Sequence, residues 1–189
     1  MDNAYIEGRL FDVKTTRELP FGEYAKCTFK GLNFSNLDLS QYIFTDCEFI
    51  DCNLTLVKIR QTAFRKVKFE GCKLMGLNFD DCNNFGMALG FSTCNITNCT
   101  FTALYLTKTK FEVCDVHECD FTQTNLSDGA FLRCSLRGSS FERANLEKVD
   151  FRYSTGILID PAKNKMRKAK FNTNQLPGLL RTFQLEIED

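Results

Sequence analysis

Between Cys94 and Phe151 a large apolar residue returns at every fifth position without a miss: Ile96, Phe101, Leu106, Phe111, Val116, Phe121, Leu126, Phe131, Leu136, Phe141, Leu146 and Phe151. A period of five is neither the alternation of a strand nor the 3.6 spacing of an amphipathic helix, so the stretch is a repeat before it is anything else. Two residues before each large residue stands a smaller one, as at Cys94, Cys99, Cys114, Cys119, Thr124, Cys134, Ser139 and Ala144. Residues two apart on extended backbone point to the same side, so both face an interior.

The same pattern runs from Tyr24 through Phe29, Phe34, Leu39, Phe44, Phe49, Leu54, Ile59, Phe64, Phe69 and Leu74 to Phe79, then resumes at Phe91. That last gap is twelve instead of a multiple of five, which places two extra residues within 80–90. Identity recurs best at twenty, so four five-residue sides close one coil, and stacked coils make an all-β, four-sided solenoid. Gly31, Asn36, Asp46, Asp51, Gly71, Gly76, Asn98, Asp128 and Gly138 fall between one large residue and the next inward pair. These types accept turn geometry cheaply, so they mark the corners. The repeat predicts about six coils, rising roughly 29 Å at strand spacing.

The ten cysteines all stand at the small inward position, several of them twenty apart, such as Cys27 and Cys47 or Cys99 and Cys119. Coils about 4.8 Å apart hold thiols farther than a disulfide prefers, and no histidine accompanies any cysteine pair, so neither disulfide nor zinc is expected. No metal, cofactor or catalytic group is assigned. The single histidine, His117, follows a central residue and points outward, and no nucleophile, base and orienter assemble around it.

Function is then expected on the outer surface or at the ends. With 24 basic and 24 acidic residues the chain is neutral, which argues against direct nucleic-acid binding. Charge clusters locally: Lys58, Arg60, Arg65, Lys66, Lys68 and Lys73 form a basic belt, and Glu112, Asp115, Glu118 and Asp120 an acidic patch. Coil spacing sets Asp46 over Lys66, Glu48 over Lys68, and Asp128 between Lys108 and Lys148. The irregular region 80–90 predicts a small loop projecting near Phe85.

Residues 1–23 carry loose echoes of the repeat and read as an N-terminal cap, 24–158 as the solenoid, and 159–189 as a C-terminal cap and dimerisation segment. Asp160-Pro161 ends the regular coil, and Lys163, Lys165, Arg167, Lys168 and Lys170 read as a surface loop. Asn172 or Thr173 caps a short helix along which Leu176, Leu179, Leu180 and Phe183 recur at helical spacing. Phe183, Leu185 and Ile187 then alternate with polar residues as a short strand. These six apolar residues are the expected interface of a homodimer. No signal-peptide layout and no membrane-spanning apolar run is found, so a cytoplasmic protein without membrane contact is expected.

A large central residue with a small one two before it, repeated over 24–151, resembles the pentapeptide repeat family, which implies a right-handed quadrilateral β-helix. The stretch Cys47-Glu48-Phe49-Ile50-Asp51-Cys52-Asn53-Leu54 and the ending Lys168-Ala169-Lys170-Phe171, Leu179-Leu180 and Leu185-Glu186-Ile187 are similar to the Qnr/AlbG-type topoisomerase-protection branch of that family. That resemblance implies a dimeric rod that binds DNA gyrase or topoisomerase IV and shields it from quinolones or albicidin. It would do so by DNA mimicry, with carboxylates in place of phosphates. Asp115, Glu118, Asp120 and Phe85 are the candidate contacts, and the basic belt departs from an acidic mimic. The alternative is a structural or scaffold solenoid with another protein partner.

Overall fold

The computed structural model describes residues 4–14 and 19–186. Short parallel strands wind into a four-sided solenoid whose first side carries seven strands, from Leu10–Asp12 through Thr28–Lys30, Glu48–Ile50, Val67–Glu70, Leu89–Ser92 and Lys110–Glu112 to Ala130–Leu132. The second side has three strands at Lys73–Met75, Asn95–Thr97 and Asp115–His117. The fourth has four, at Ala4–Glu7, Gly22–Ala25, Ile43–Thr45 and Ala63–Arg65. Isolated parallel bridges such as Asp38↔Lys58 and Asp120↔Ser140 carry the register on the third side.

Register follows from the core. Phe11, Phe29, Phe49, Phe69, Phe91, Phe111, Phe131, Phe151 and Phe171 form one unbroken stack, with adjacent ring centroids 4.5 to 5.4 Å apart. Offset stacking at this distance suits coils separated by one strand spacing, so ring contact and backbone ladder reinforce each other. On the third side Phe79, Phe101, Phe121 and Phe141 repeat the arrangement at 4.7 to 5.0 Å. The small inward position has its own logic. Cys47 Sγ donates to the carbonyl of Tyr24, Cys52 to that of Phe29, Thr62 Oγ1 to Leu39 and Ser154 Oγ to Phe131, at 2.7 to 3.3 Å. A hydrogen-bonding group of this size fits the corner and satisfies a buried acceptor in the coil below.

All nine expected corner residues have a left-handed backbone, from Asn98 at φ 52° to Gly138 at φ 75°. The insertion is also located. Ala63 still pairs with Asn83, twenty residues on, whereas Val67 pairs with Leu89, twenty-two residues on. The added residues therefore lie within 84–88.

Both ends differ from the sequence reading. Ala4–Glu7 pairs with Gly22–Ala25, and Leu10–Asp12 pairs with Thr28–Lys30, so the chain already follows the coil at Ala4. The coil does not stop at Asp160-Pro161. Asn145 bridges Lys165, Asp150 bridges Lys170, and Phe171 stacks on Phe151. The period continued there behind Gly156 and Pro161, which stand at central positions and hid it. Lys163, Arg167 and Lys170 are thus coil residues, paired with Glu142, Glu147 and Asp150. A helix at Leu176–Leu180 then lies across the end. No strand follows among the described residues: a turn at Arg181–Phe183 and the left-handed Gln184 (φ 52°) break the expected alternation. Ile187 lies outside the described residues.

Candidate functional site

The rod presents three features that chemistry could use, and the first is the insertion. Met87 N–H donates to Asn84 O at 3.1 Å and Phe85 N–H to Asn83 Oδ1 at 3.1 Å, closing a tight turn with Gly86 at φ +71°. The turn lifts Phe85 off the fourth side, 78% exposed, while Met87 packs back against the core. Arg65 reaches up from the coil below, its Cζ 6.0 Å from the Phe85 ring centroid. Cation–π contact at this distance, the outer limit of the interaction, favours a ring turned outward over Arg65. The sequence located the loop, but the Arg65 contact needed the coil register.

The acidic patch is divided by the corner it spans. Asp115 lies exposed on the second side, Glu118 occupies the next corner with φ 52°, and Asp120 begins the third side. Asp120 is committed to structure. Its Oδ1 accepts from Thr122 N and Ser140 Oγ, both at 2.8 Å, and its Oδ2 accepts from Thr102 Oγ1 at 3.4 Å. Burial pushes this carboxyl up, but those donors outweigh it and hold it below the usual carboxylate range. Glu112, Asp115 and Glu118 make no ion pair among the described residues, with Glu112 on the first side and Asp115 and Glu118 the two remaining candidate contacts. His117 Nε2 is 2.8 Å from Ser135 Oγ on the outer surface.

The third feature is the C-terminal end. Gln175 is buried and donates from Nε2 to the carbonyls of Phe151 (2.8 Å) and Ser154 (2.6 Å), satisfying acceptors that the last coil leaves open. Its Oε1 accepts from Asn172 N–H at 2.6 Å, and Asn172 Oδ1 accepts from Tyr153 N–H at 2.7 Å. Gly178 permits the docking, because a Cβ there would lie 2.0 Å from Ile157 O. Leu179 is buried in the chain's own core, and Leu180 is half-buried. Leu176, Phe183 and Leu185 stay exposed.

The cysteines are all buried and free, and no cluster among the described residues could hold a metal ion. Cys52, Cys72, Cys94, Cys114 and Cys134 form one column through the core, longer than the pairs spaced by twenty, because the insertion changes one interval to twenty-two. Burial pushes the Cys47 thiol up to about 11 and that of Cys82 up as well. No helix among the described residues is long and apolar enough to cross a membrane.

Residues 23–89 and 85–179 match the family described as pentapeptide repeat region. A trypsin-treated form of QnrB1, a plasmid-mediated fluoroquinolone resistance protein, is similar in structure with 17% identity, 98% of each chain covered and a TM-score of 0.51. Full-length QnrB1 gives 16% identity, 97% of this chain and 99% of that one, and 0.50. HetL, a pentapeptide repeat protein involved in heterocyst differentiation regulation from Nostoc, gives 12% identity, 86% and 87% coverage, and 0.38. No curated protein matches the chain. At these identities the likeness is one of fold.

Proposed function

Since the chain belongs to the pentapeptide repeat family, we propose that it is a non-catalytic, protein-binding rod of the cytoplasm that engages DNA gyrase or topoisomerase IV and protects it from poisons such as quinolones or albicidin. The observation that carries this reading is the projecting Phe85 loop on an otherwise regular rod that matches a fluoroquinolone resistance protein in fold along almost its whole length. An exposed aromatic ring on a regular scaffold is the kind of anchor that protein interfaces use. Asp115 and Glu118 supply the carboxylates for a mimic of DNA phosphates, and Leu176, Phe183 and Leu185 an end on which two copies meet.

The test is gyrase supercoiling and poison-induced DNA cleavage with the purified chain titrated in. Recovered supercoiling with fewer cleaved products supports the reading, and no effect on either at micromolar protein overturns it. Asp115→Lys with Glu118→Lys should then abolish protection while the thermal midpoint holds. Asp120 is left intact because its hydrogen bonds brace two coils.

One observation favours a second reading. Lys58, Arg60 and Lys73 of the basic belt make no ion pair among the described residues. Such a belt repels a surface built to grip phosphate and suits a scaffold for a different protein partner. Capture of gyrase subunits from lysate separates the two readings.

A further inference from the structure

Opposite charges stack across several coils of the first side and its leading corner, and one coil lying between two lysine pairs carries no charge in either row. The corner row runs Lys26, Asp46, Lys66, Ala88, Lys108, Asp128, Lys148, Lys168. The neighbouring row runs Thr28, Glu48, Lys68, Gly90, Lys110, Ala130, Asp150, Lys170, fixed by strand and bridge register. Lys66 pairs with Asp46 at 3.6 Å, Lys68 with Glu48 at 3.0 Å and Lys148 with Asp128 at 3.1 Å. Between the Lys66–Lys68 and Lys108–Lys110 pairs stand Ala88 and Gly90, which carry no charge. Lys108 and Lys110 make no ion pair among the described residues.

The small side chains leave a notch of about 450 Å³, open to solvent and lined by both lysine pairs, with Glu112 as its one carboxylate against four lysines. The backbone does not account for the glycine. Gly90 is outside the left-handed region, and a Cβ there would meet only Lys68 Cγ at 3.9 Å, an ordinary contact. The flanking lysine rows are two coil spacings apart, roughly 9.6 Å, which leaves room for one extended segment's side chains. Residues 88 and 90 are two apart, a separation of roughly 6.6 Å on extended chain.

We propose that this notch docks an extended segment of a protein partner bearing two carboxylates two residues apart, which enter between the lysine pairs where residues 88 and 90 supply none. The notch adjoins the insertion at Ala88 but includes none of Phe85, Asp115 and Glu118, and a peptide-binding assay needs no topoisomerase, so it can succeed or fail independently of topoisomerase protection. An elongated, shallow notch favours a peptide over a compact anion, because its charges are spread along the strand direction and nothing encloses a small ion.

The test uses the full chain and a fluorescein-labelled peptide, Gly-Ser-Asp-Ser-Asp-Ser-Gly, with its Asn-for-Asp counterpart, read by fluorescence anisotropy at low ionic strength. The Asp peptide should bind about tenfold tighter than the Asn peptide. The double variant Lys108→Ala with Lys110→Ala should weaken it about tenfold, and Gly90→Glu, which fills the notch with a carboxylate of the chain's own, should weaken it similarly. Thermal melts establish that each variant is folded. Equal binding of the two peptides, or affinity unchanged in both variants, would overturn the proposal. Tripolyphosphate binding more tightly than the Asp peptide and displacing it would reassign the notch to a compact anion.

Discussion

Corner residues show how far the coil overrides local preference. The left-handed position is filled by glycine, asparagine and aspartate as expected, but also by Leu56 (φ 55°), Tyr153 (φ 65°) and Val113 (φ 56°). A β-branched residue is the least suited of these, at a cost on the order of 1 kcal/mol. Val113 is exposed, so its side chain returns little burial there. Val113→Asn is therefore expected to raise stability by about 0.5 to 1 kcal/mol in urea unfolding. Asp120 works in the opposite direction. Its folded pKa lies below the ordinary 3.8, so its contribution is complete above that value and is lost as pH falls through the lower folded one. Asp120→Asn should accordingly destabilise the chain at pH 7, and the difference from the parent should shrink below about pH 4 in matched urea titrations.

At the scale of the element, the terminal helix is too short to be stable alone and depends on docking. Its fit rests on Gly178, where any side chain collides with the Ile157 carbonyl, and on Gln175, which closes the backbone acceptors of the last coil. Gly178→Ala should lift the helix and expose the coil end, lowering the thermal midpoint by several degrees and raising amide exchange at Phe151 and Ser154. A midpoint equal to that of the parent would show that the helix adds nothing to the end coil. The insertion is the element's counterpart within the rod. Two residues cost the ladder little because Met87 turns back onto the core while Phe85 leaves it.

For the whole molecule, the open question is what covers the apolar end. Leu176, Phe183 and Leu185 are exposed within one ten-residue segment that has already spent Leu179 on its own core. Dimerisation through them predicts twice the 21.7 kDa chain mass in size-exclusion chromatography with light scattering, and a monomer after Leu176→Glu with Phe183→Glu. A parent monomer at tens of micromolar would remove the end from consideration as an interface. The period of five made the four-sided coil, its inward columns, its corners and its buried thiols legible from the chain alone, because each repeats a local backbone state that sequence spacing records directly. The coil beyond Asp160 was hidden where Gly156 and Pro161 stand in for large residues. Contacts that depend on what lies one coil away, Arg65 beneath Phe85, Gly178 against Ile157 and the lysines facing Gly90, were decided only in the folded rod. Gly178 with Ile157 and Gly90 with Lys68 join residues whose separation departs from the period, and Arg65 meets Phe85 at one period only because the added residues follow Asn83, which the spacing alone does not record.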